Sequence, residues 1–355
     1  MDNKNTIKPM VEASILTSIF VVLTLACTAI GLGFFGYYDF LVPVFFAIIY
    51  IRCGWKYSSL SVIISILITF FILGNPITPI MLIQGSIIGL FTGYILLNMD
   101  ELGNEIIVVS ILSLLMLFVF DYIMRTFTNV SLVSNFDEFS KEMYLFIDKV
   151  SKMLNSGESG KSSIQILDNY RQMLASDTIK QSFFFSFSLI SFGSGVIIYF
   201  LTMIASKKIK LDFYGKKYKL KLIGSLKRNV RFIYSSRKLF IIMIVYILFA
   251  ELLKVFKVSS GIEYVDGFIF SLEYLFAIFT FKDSMVIIEN KMIAESASVK
   301  QAKRYRILII ILFFINIKIM YIAAVVSYLV NDWNGKYRAL FSKALDKNLE
   351  KTNRI

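Results

Sequence analysis

The sequence predicts an all-α, polytopic helical membrane protein with eight to nine transmembrane helices and an external amphipathic helical hairpin. Composition is the first reason: of 355 residues, 57% are hydrophobic and only 18% charged, whereas a soluble surface needs roughly 25% charge. Mean hydropathy is accordingly +0.69. The second reason is distribution, because the apolar residues fall in blocks of about 20, the length that spans a bilayer core as a helix. Only helices and closed barrels satisfy their own backbone hydrogen bonds in lipid, and blocks of this length select the helix.

Nine apolar segments carry the prediction: Val11 to Ile30, Phe34 to Ile51, Ser58 to Leu73, Pro79 to Leu97, Ile106 to Met124, Phe183 to Ala205, Leu239 to Phe256, Val265 to Phe281, and Ile307 to Val330. The second is interrupted by Asp39 and the third has 16 residues, so either reads as a span, a tilted helix or a re-entrant segment. They divide the chain into a five-span membrane region over 1–124, a polar segment over 125–180, a sixth span over 181–205, a basic loop over 206–238, a three-span region over 239–330 and a polar tail over 331–355.

Orientation follows from Lys and Arg in the short loops, which stay cytoplasmic. The loop Ser206 to Lys238 holds twelve of them (Lys207, Lys208, Lys210, Lys216, Lys217, Lys219, Lys221, Lys227, Arg228, Arg231, Arg237 and Lys238) against the single acid Asp212. It is expected inside, at the cell membrane, with anionic lipid headgroups as its partner at about 1 kcal/mol per basic residue. Six spans precede it, so the N-terminus with Lys4 and Lys8 and the turn with Arg52 and Lys56 also fall inside. The tail after Val330 would then fall outside despite six Lys or Arg and three acids. Its side is left open.

The segment Arg125 to Lys180, with seven basic and seven acidic residues, is expected outside. Phe136, Phe139, Met143, Phe146, Ile147, Val150 and Leu154 recur at helical spacing, as do Ile164, Leu167, Tyr170 and Leu174, which predicts a hairpin of two amphipathic helices. Its linker, Asn155 to Ser162, resembles a phosphate loop. It lacks the strand, the helix N-terminus and the glycine at Asn155 that such a loop requires. Thr24-Leu25-Ala26-Cys27 resembles a lipoprotein cleavage site, but the apolar run continues past it, so the first helix is expected to be uncleaved.

Much chemistry is excluded by composition. There is no histidine, and the two cysteines, Cys27 and Cys53, sit in or beside spans. Zinc sites, His-based triads and disulfide frameworks are therefore not expected, nor is any cofactor or enzymatic activity. Nucleic acid is not expected as a partner either, since the basic residues flank membrane spans.

Two kinds of intramembrane signal remain. Gly85, Gly89 and Gly93 clear one face of the fourth span for close helix approach, and Ser14 with Ser18 makes a weaker small-residue face on the first. Glu251, Glu273 and Lys318 are ionisable groups inside spans, at overlapping depths in the middle-to-outer membrane, where charge costs at least about 2.5–3.5 kcal/mol. They read as one polar cluster: either a structural Lys318–Glu273 ion pair or a substrate or ion site. Asp121 and Arg125, one turn apart, are expected to pair. Lys254 and Lys257 can snorkel to the interface and need no special role.

Several local features together resemble the YybS-like family of bacterial integral membrane proteins, and more remotely the substrate-binding S subunits of energy-coupling-factor vitamin transporters. They are Glu12-Ala13 at the start of the first span, Pro43 opening the second, Arg52-Cys53-Gly54-Trp55-Lys56 after it, the glycine-rich fourth span, the long polar insert before the sixth, and Asp332 with Arg338 after the last. The resemblance implies that the first six spans are S-subunit-like, with three further helices. It also implies a gate at the loop between the first two spans, here Gly31 to Asp39, with Gly31, Gly33, Gly36 and Asp39 as its candidate residues. Where S subunits dock a coupling subunit through Ala-x-x-x-Ala, this chain has Ser14 to Ser18.

Two functional readings follow. The first is a non-enzymatic, transport-related component that binds a small solute from outside, alone or with a membrane protein partner. The second is a membrane scaffold or regulator acting through the hairpin and the basic loop.

Overall fold

The computed structural model describes residues 4–31, 37–75, 77–99, 101–129, 131–154, 177–213, 215–224, 234–256, 258, 260–295, 301, 304–305, 307–308, 311, 317–332 and 335–336. Among these every regular element is a helix. In chain order they are α1 (Lys4–Ala29), a π-helical turn (Tyr37–Leu41) running into α2 (Val42–Leu73), α3 (Ile77–Asn98), α4 (Leu102–Thr128), α5 (Leu132–Leu154), α6 (Asp177–Lys208), α7 (Lys216–Gly224), α8 (Arg237–Val255), α9 (Glu263–Ala294) and α10 (Ile317–Asp332).

Among the described residues, six helical stretches are long and apolar enough to cross a membrane: Ile7–Ala29, Tyr37–Leu73, Ile77–Asn98, Leu102–Thr128, Lys180–Lys208 and Glu263–Ile293. The sequence has nine apolar segments; helix α8 carries Arg237, Lys238, Glu251 and Lys254 in its 19 residues, and part of the last segment, ahead of α10, lies outside the described residues. Two of the sequence segments, moreover, lie in the one stretch Tyr37–Leu73.

That stretch is 37 residues long, about 55 Å if straight, against a hydrocarbon core of about 30 Å. It is not straight. Gly54 has φ 77° and ψ 174°, a break inside the helix in a region that glycine enters without a Cβ penalty. The packing on either side shows that the chain reverses there. Helix α1 runs antiparallel to the first arm, with Thr24 Oγ1 2.7 Å from Tyr37 Oη at one end and Arg52 Nε 2.8 Å from Glu12 at the other. Helix α3 runs parallel to that same arm, since Gly85 meets Tyr38 and Val42 while Gly93 meets Ala47 and Tyr50. The second arm, from Trp55, must return between them before Gly74, at φ 60°, closes it and turns into α3.

The glycine stripe of α3 seats directly on α2. A Cβ placed on Gly89 would lie 2.4 Å from the Pro43 carbonyl oxygen, and one on Gly85 or Gly93 would fall within 3.0 Å of α2 atoms. These are helix-packing residues, as the four-residue spacing implies.

Helices α4 and α6 are antiparallel, with Phe118 stacked on Phe184 near one end and Tyr199 bonded to Glu105 near the other. Helices α8 and α9 repeat the pattern: Ser235, just before α8, bonds Asp283, and Lys254 near the end of α8 reaches Glu273. The largest core cluster joins these helices through residues such as Phe118, Phe184, Phe240, Met243, Phe276 and Tyr328. Outside this core the usual order of a soluble protein is inverted. Phe71, Ile190 and Val255 are exposed, while Ser58, Ser65, Thr69, Glu105 and Asp283 are buried. An apolar exterior around a polar interior is what a lipid solvent selects.

At its start, α5 is capped by Asp121, whose carboxylate accepts the Leu132 N–H at 3.0 Å. This replaces the expected Asp121–Arg125 pair; the Arg125 guanidinium lies over the Tyr264 ring instead. The amphipathic character of α5 matches the first half of the expected hairpin, whose linker and second half lie outside the described residues.

Replacing Gly89 by alanine tests the helix crossing. In an open helix Gly→Ala stabilises by about 0.5–1 kcal/mol, and Gly193, with nothing within 4 Å of a built Cβ, is the matched control. Gly89→Ala should instead destabilise by about 1–3 kcal/mol. Thermal unfolding of both variants in detergent checks this, and equal midpoints for the two would contradict the crossing.

Candidate functional site

A cavity of about 330 Å³ opens where the π-helical turn, α3, α4 and α6 meet. Its polar lining is Tyr38, Asp39, Gln84, Ser113, Ser191 and Ser194, and Phe40, Met81, Ile88, Leu117, Phe187 and Ile190 supply the apolar walls. Each polar group arrives by a local cause. The reversal at Gly54 and the tight α2–α3 crossing bring the turn bearing Asp39 alongside Gln84, and Gly85 of that crossing is itself part of the wall. On the opposite side Gly195 lets α6 approach α4 so closely that a Cβ would fall 2.5 Å from the Ser110 Cα.

The serines there are unequally satisfied. Ser191 Oγ donates to the Ser113 carbonyl at 2.9 Å, and Ser194 Oγ donates to the Ser191 carbonyl at 2.7 Å. Ser113 Oγ is buried at 2% exposure and has no hydrogen-bond partner. A buried hydroxyl without a partner costs about 1–3 kcal/mol. Ser113 lines the wall, with its Oγ packed toward Gly195, 3.0 Å from where a Cβ there would lie. Among the described lining residues Asp39 is the one that carries a charge, and it is exposed.

Of the gate residues expected from sequence, Asp39 therefore reaches the cavity. Gly31 ends α1 at φ 75°, its N–H on the Thr28 carbonyl, and Gly33 and Gly36 lie outside the described residues. Ser14 and Ser18 do not face the cavity. Their hydroxyls donate to the Met10 and Ser14 carbonyls, and both line a separate groove between α1 and the second arm of α2.

The expected polar cluster is brought together in part, around a different cation. Lys254 Nζ lies 2.7 Å from Glu273 Oε1 and 3.5 Å from Glu251 Oε1, over the rings of Phe270 and Tyr274 at 5.1 and 5.2 Å. Lys254, read from sequence as a snorkelling residue, is thus the centre of a triad. Its reach inward from near the end of α8 is what hydropathy alone does not reveal. Lys318 is on α10, and its side chain lies outside the described part of the structure.

A second buried ionic site went unmarked in the sequence. Lys219 Nζ lies 2.7 Å from Glu105 Oε1, with side-chain exposures of 1% and 0%. It also donates to the Met99 and Leu96 carbonyls at 2.8 and 3.3 Å, and Tyr199 Oη donates to Glu105 Oε2 at 2.5 Å. Hydrogen bonds to the remaining polar atoms are what make such a pair tolerable away from water. Lys219 is one of twelve basic residues in its loop, and no local pattern distinguishes it from the others. Glu105, one residue before the fifth apolar segment, was the available signal.

Comparison with protein-family models, with curated proteins and with solved structures finds no match.

Removing one partner of the Lys219–Glu105 pair should cost about 3–5 kcal/mol, because the other charge stays buried. Lys219→Met together with Glu105→Leu should recover much of that loss. Thermal midpoints of the two single variants and the double variant form the cycle, and additive losses would contradict the pairing.

Proposed function

We propose that the protein is a non-enzymatic, transport-related component of the cell membrane that binds a small solute in the cavity beside Asp39. The observation that carries this reading is a cavity between the π-helical turn, α3, α4 and α6 onto which the Asp39 carboxylate, the Gln84 amide and the serines of α6 converge. Pockets for small molecules are mostly apolar with a few convergent polar groups, and run from about 300 to 1,000 Å³. This cavity is at the small end. A lone acidic group in an apolar wall selects a solute with a positive or hydrogen-bond-donating group and a compact apolar body.

The same proposal takes the bundle as nine passes with the N-terminus cytoplasmic and the Ser206 to Lys238 loop against anionic headgroups. Exposed Lys207, Lys208, Lys210 and Lys217 beside the inner end of α6 support that placement. The S-subunit-like and YybS-like character belongs to the proposal too, and what supports it is that Asp39, the last residue of the segment where that resemblance puts a gate, lines the cavity.

A second reading, a scaffold that engages a membrane protein partner, draws on α5, where Leu145, Phe146 and Met153 are exposed. Deleting Phe136 to Ala175 separates the two, since a scaffold loses its partner and a solute-binding protein keeps its ligand.

The direct test is thermal stabilisation of the detergent-purified protein by a panel of small amines, carboxylates and neutral solutes. A saturable amine should raise the midpoint by several degrees, equivalent to about 2.7 kcal/mol at a hundredfold excess over Kd, and Asp39→Asn should abolish the shift. Stabilisation that is equal in wild type and Asp39→Asn would remove the assigned site.

A further inference from the structure

The triad around Lys254 has a chemical property that the solute site does not use. Glu273 is buried at 4% exposure. One of its oxygens is held by Lys254, and the other, Oε2, is buried with no hydrogen-bond partner. A second carboxyl group, Glu251, reaches the same ammonium at 3.5 Å. Two carboxylates at such range in a medium of low dielectric repel, and the usual resolution is a proton held between them. Lys254 also lies over the Phe270 and Tyr274 rings, a contact that favours its position between the two acids.

From this geometry we propose that Glu251 and Glu273 form a proton-binding site within the membrane-spanning bundle. Protonation forms an O–H bond on one carboxyl, which donates to the facing oxygen of the other. Release returns that proton to water and leaves two carboxylates on one ammonium. Glu251, with 43% of its side chain exposed against 6% for Glu273, is the carboxyl less covered by protein and so the one assigned to exchange the proton. The other titratable groups around the pair are Tyr246 on α8, whose hydroxyl donates to the Ile269 carbonyl at 3.2 Å, Tyr274 on α9, and Tyr321 on α10, whose hydroxyl lies 3.1 Å from that of Thr280. Tyr246 and Tyr321 both lie within electrostatic range of Glu273. Their phenols ionise near pH 10 in water, so the exchange is assigned to the carboxyls.

A cation such as sodium fits the site less well, because the ammonium of Lys254 already occupies the position between the carboxylates and a metal needs a shell of oxygen ligands. The inference does not depend on solute binding at Asp39. Its readout is independent of any ligand.

Infrared difference spectroscopy of the full-length protein in liposomes, titrated through the neutral range, tests it. Wild type should show a protonated carboxyl C=O stretch at neutral pH that shifts on exchange into heavy water, and Glu273→Gln should remove it. If Glu273→Gln does not fold, Glu251→Gln serves, and the wild-type titration stands alone. Absence of any protonated carboxyl band in the wild type would overturn the proposal, as would a band unchanged in both variants. A band that appears only after Lys318→Met would also overturn it, because Lys318 would then be neutralising the pair.

Discussion

The ion pair between Lys219 and Glu105 fastens one end of the bundle, and much of the remaining arrangement depends on it. It joins α7 to α4 through charge, to the end of α3 through the Leu96 and Met99 carbonyls, and to α6 through Tyr199. A lysine drawn out of water into this position is stable only while all of those groups stay in place. The three helices it fastens, α3, α4 and α6, are the ones that supply Gln84, Ser113 and Ser191 to the cavity. A base fixed in this way leaves the upper walls at a constant spacing, which a small solute site requires.

The second constraint is the absence of side chains where α2 and α3 cross. With Gly85, Gly89 and Gly93 against Val42, Pro43, Ala47 and Tyr50, the backbones approach as closely as the glycines allow. Close approach is how helices associate in lipid, where apolar burial gives no preference for protein over solvent. The reversal at Gly54 belongs to the same device, since it returns the chain so that α3 can lie parallel to the first arm of α2. Together they carry the turn with Asp39 onto the face of α3 that bears Gln84. Most buried hydroxyls in this region are bonded to the carbonyl one turn back, as Ser86 and Thr92 are. The hydroxyls of Ser65, Thr69, Ser110 and Ser113 and one oxygen of Glu273, Oε2, are buried without such a partner.

Hydropathy made the helices legible, because nine apolar blocks leave the chain few other ways to satisfy its backbone in lipid. The glycine spacing of α3 was legible for the same reason, since four-residue spacing has one meaning on a helix. The Arg52 to Lys56 segment, expected to link two spans because charge is costly in hydrocarbon, contains the helix break at Gly54. Pairing was not legible. Lys219 bonds a carbonyl 120 residues away, and nothing in a run of basic residues tells which one turns inward. The intramembrane acids could be picked out singly, but their cation is Lys254, whose long stem lets it act at a depth other than that of its own Cα. Sequence gave Asp39 a place in a gate by resemblance, whereas Ser113 and Gln84 become candidates only once three helices are seen to converge.

The most direct measurement is native mass spectrometry of the wild-type protein extracted gently from its own membrane. The account predicts a retained small molecule, compact enough for the cavity, that dissociates before the lipid adducts and is missing from protein purified with Asp39→Asn. Spectra with lipid adducts alone, identical for both forms, would contradict solute binding at this site.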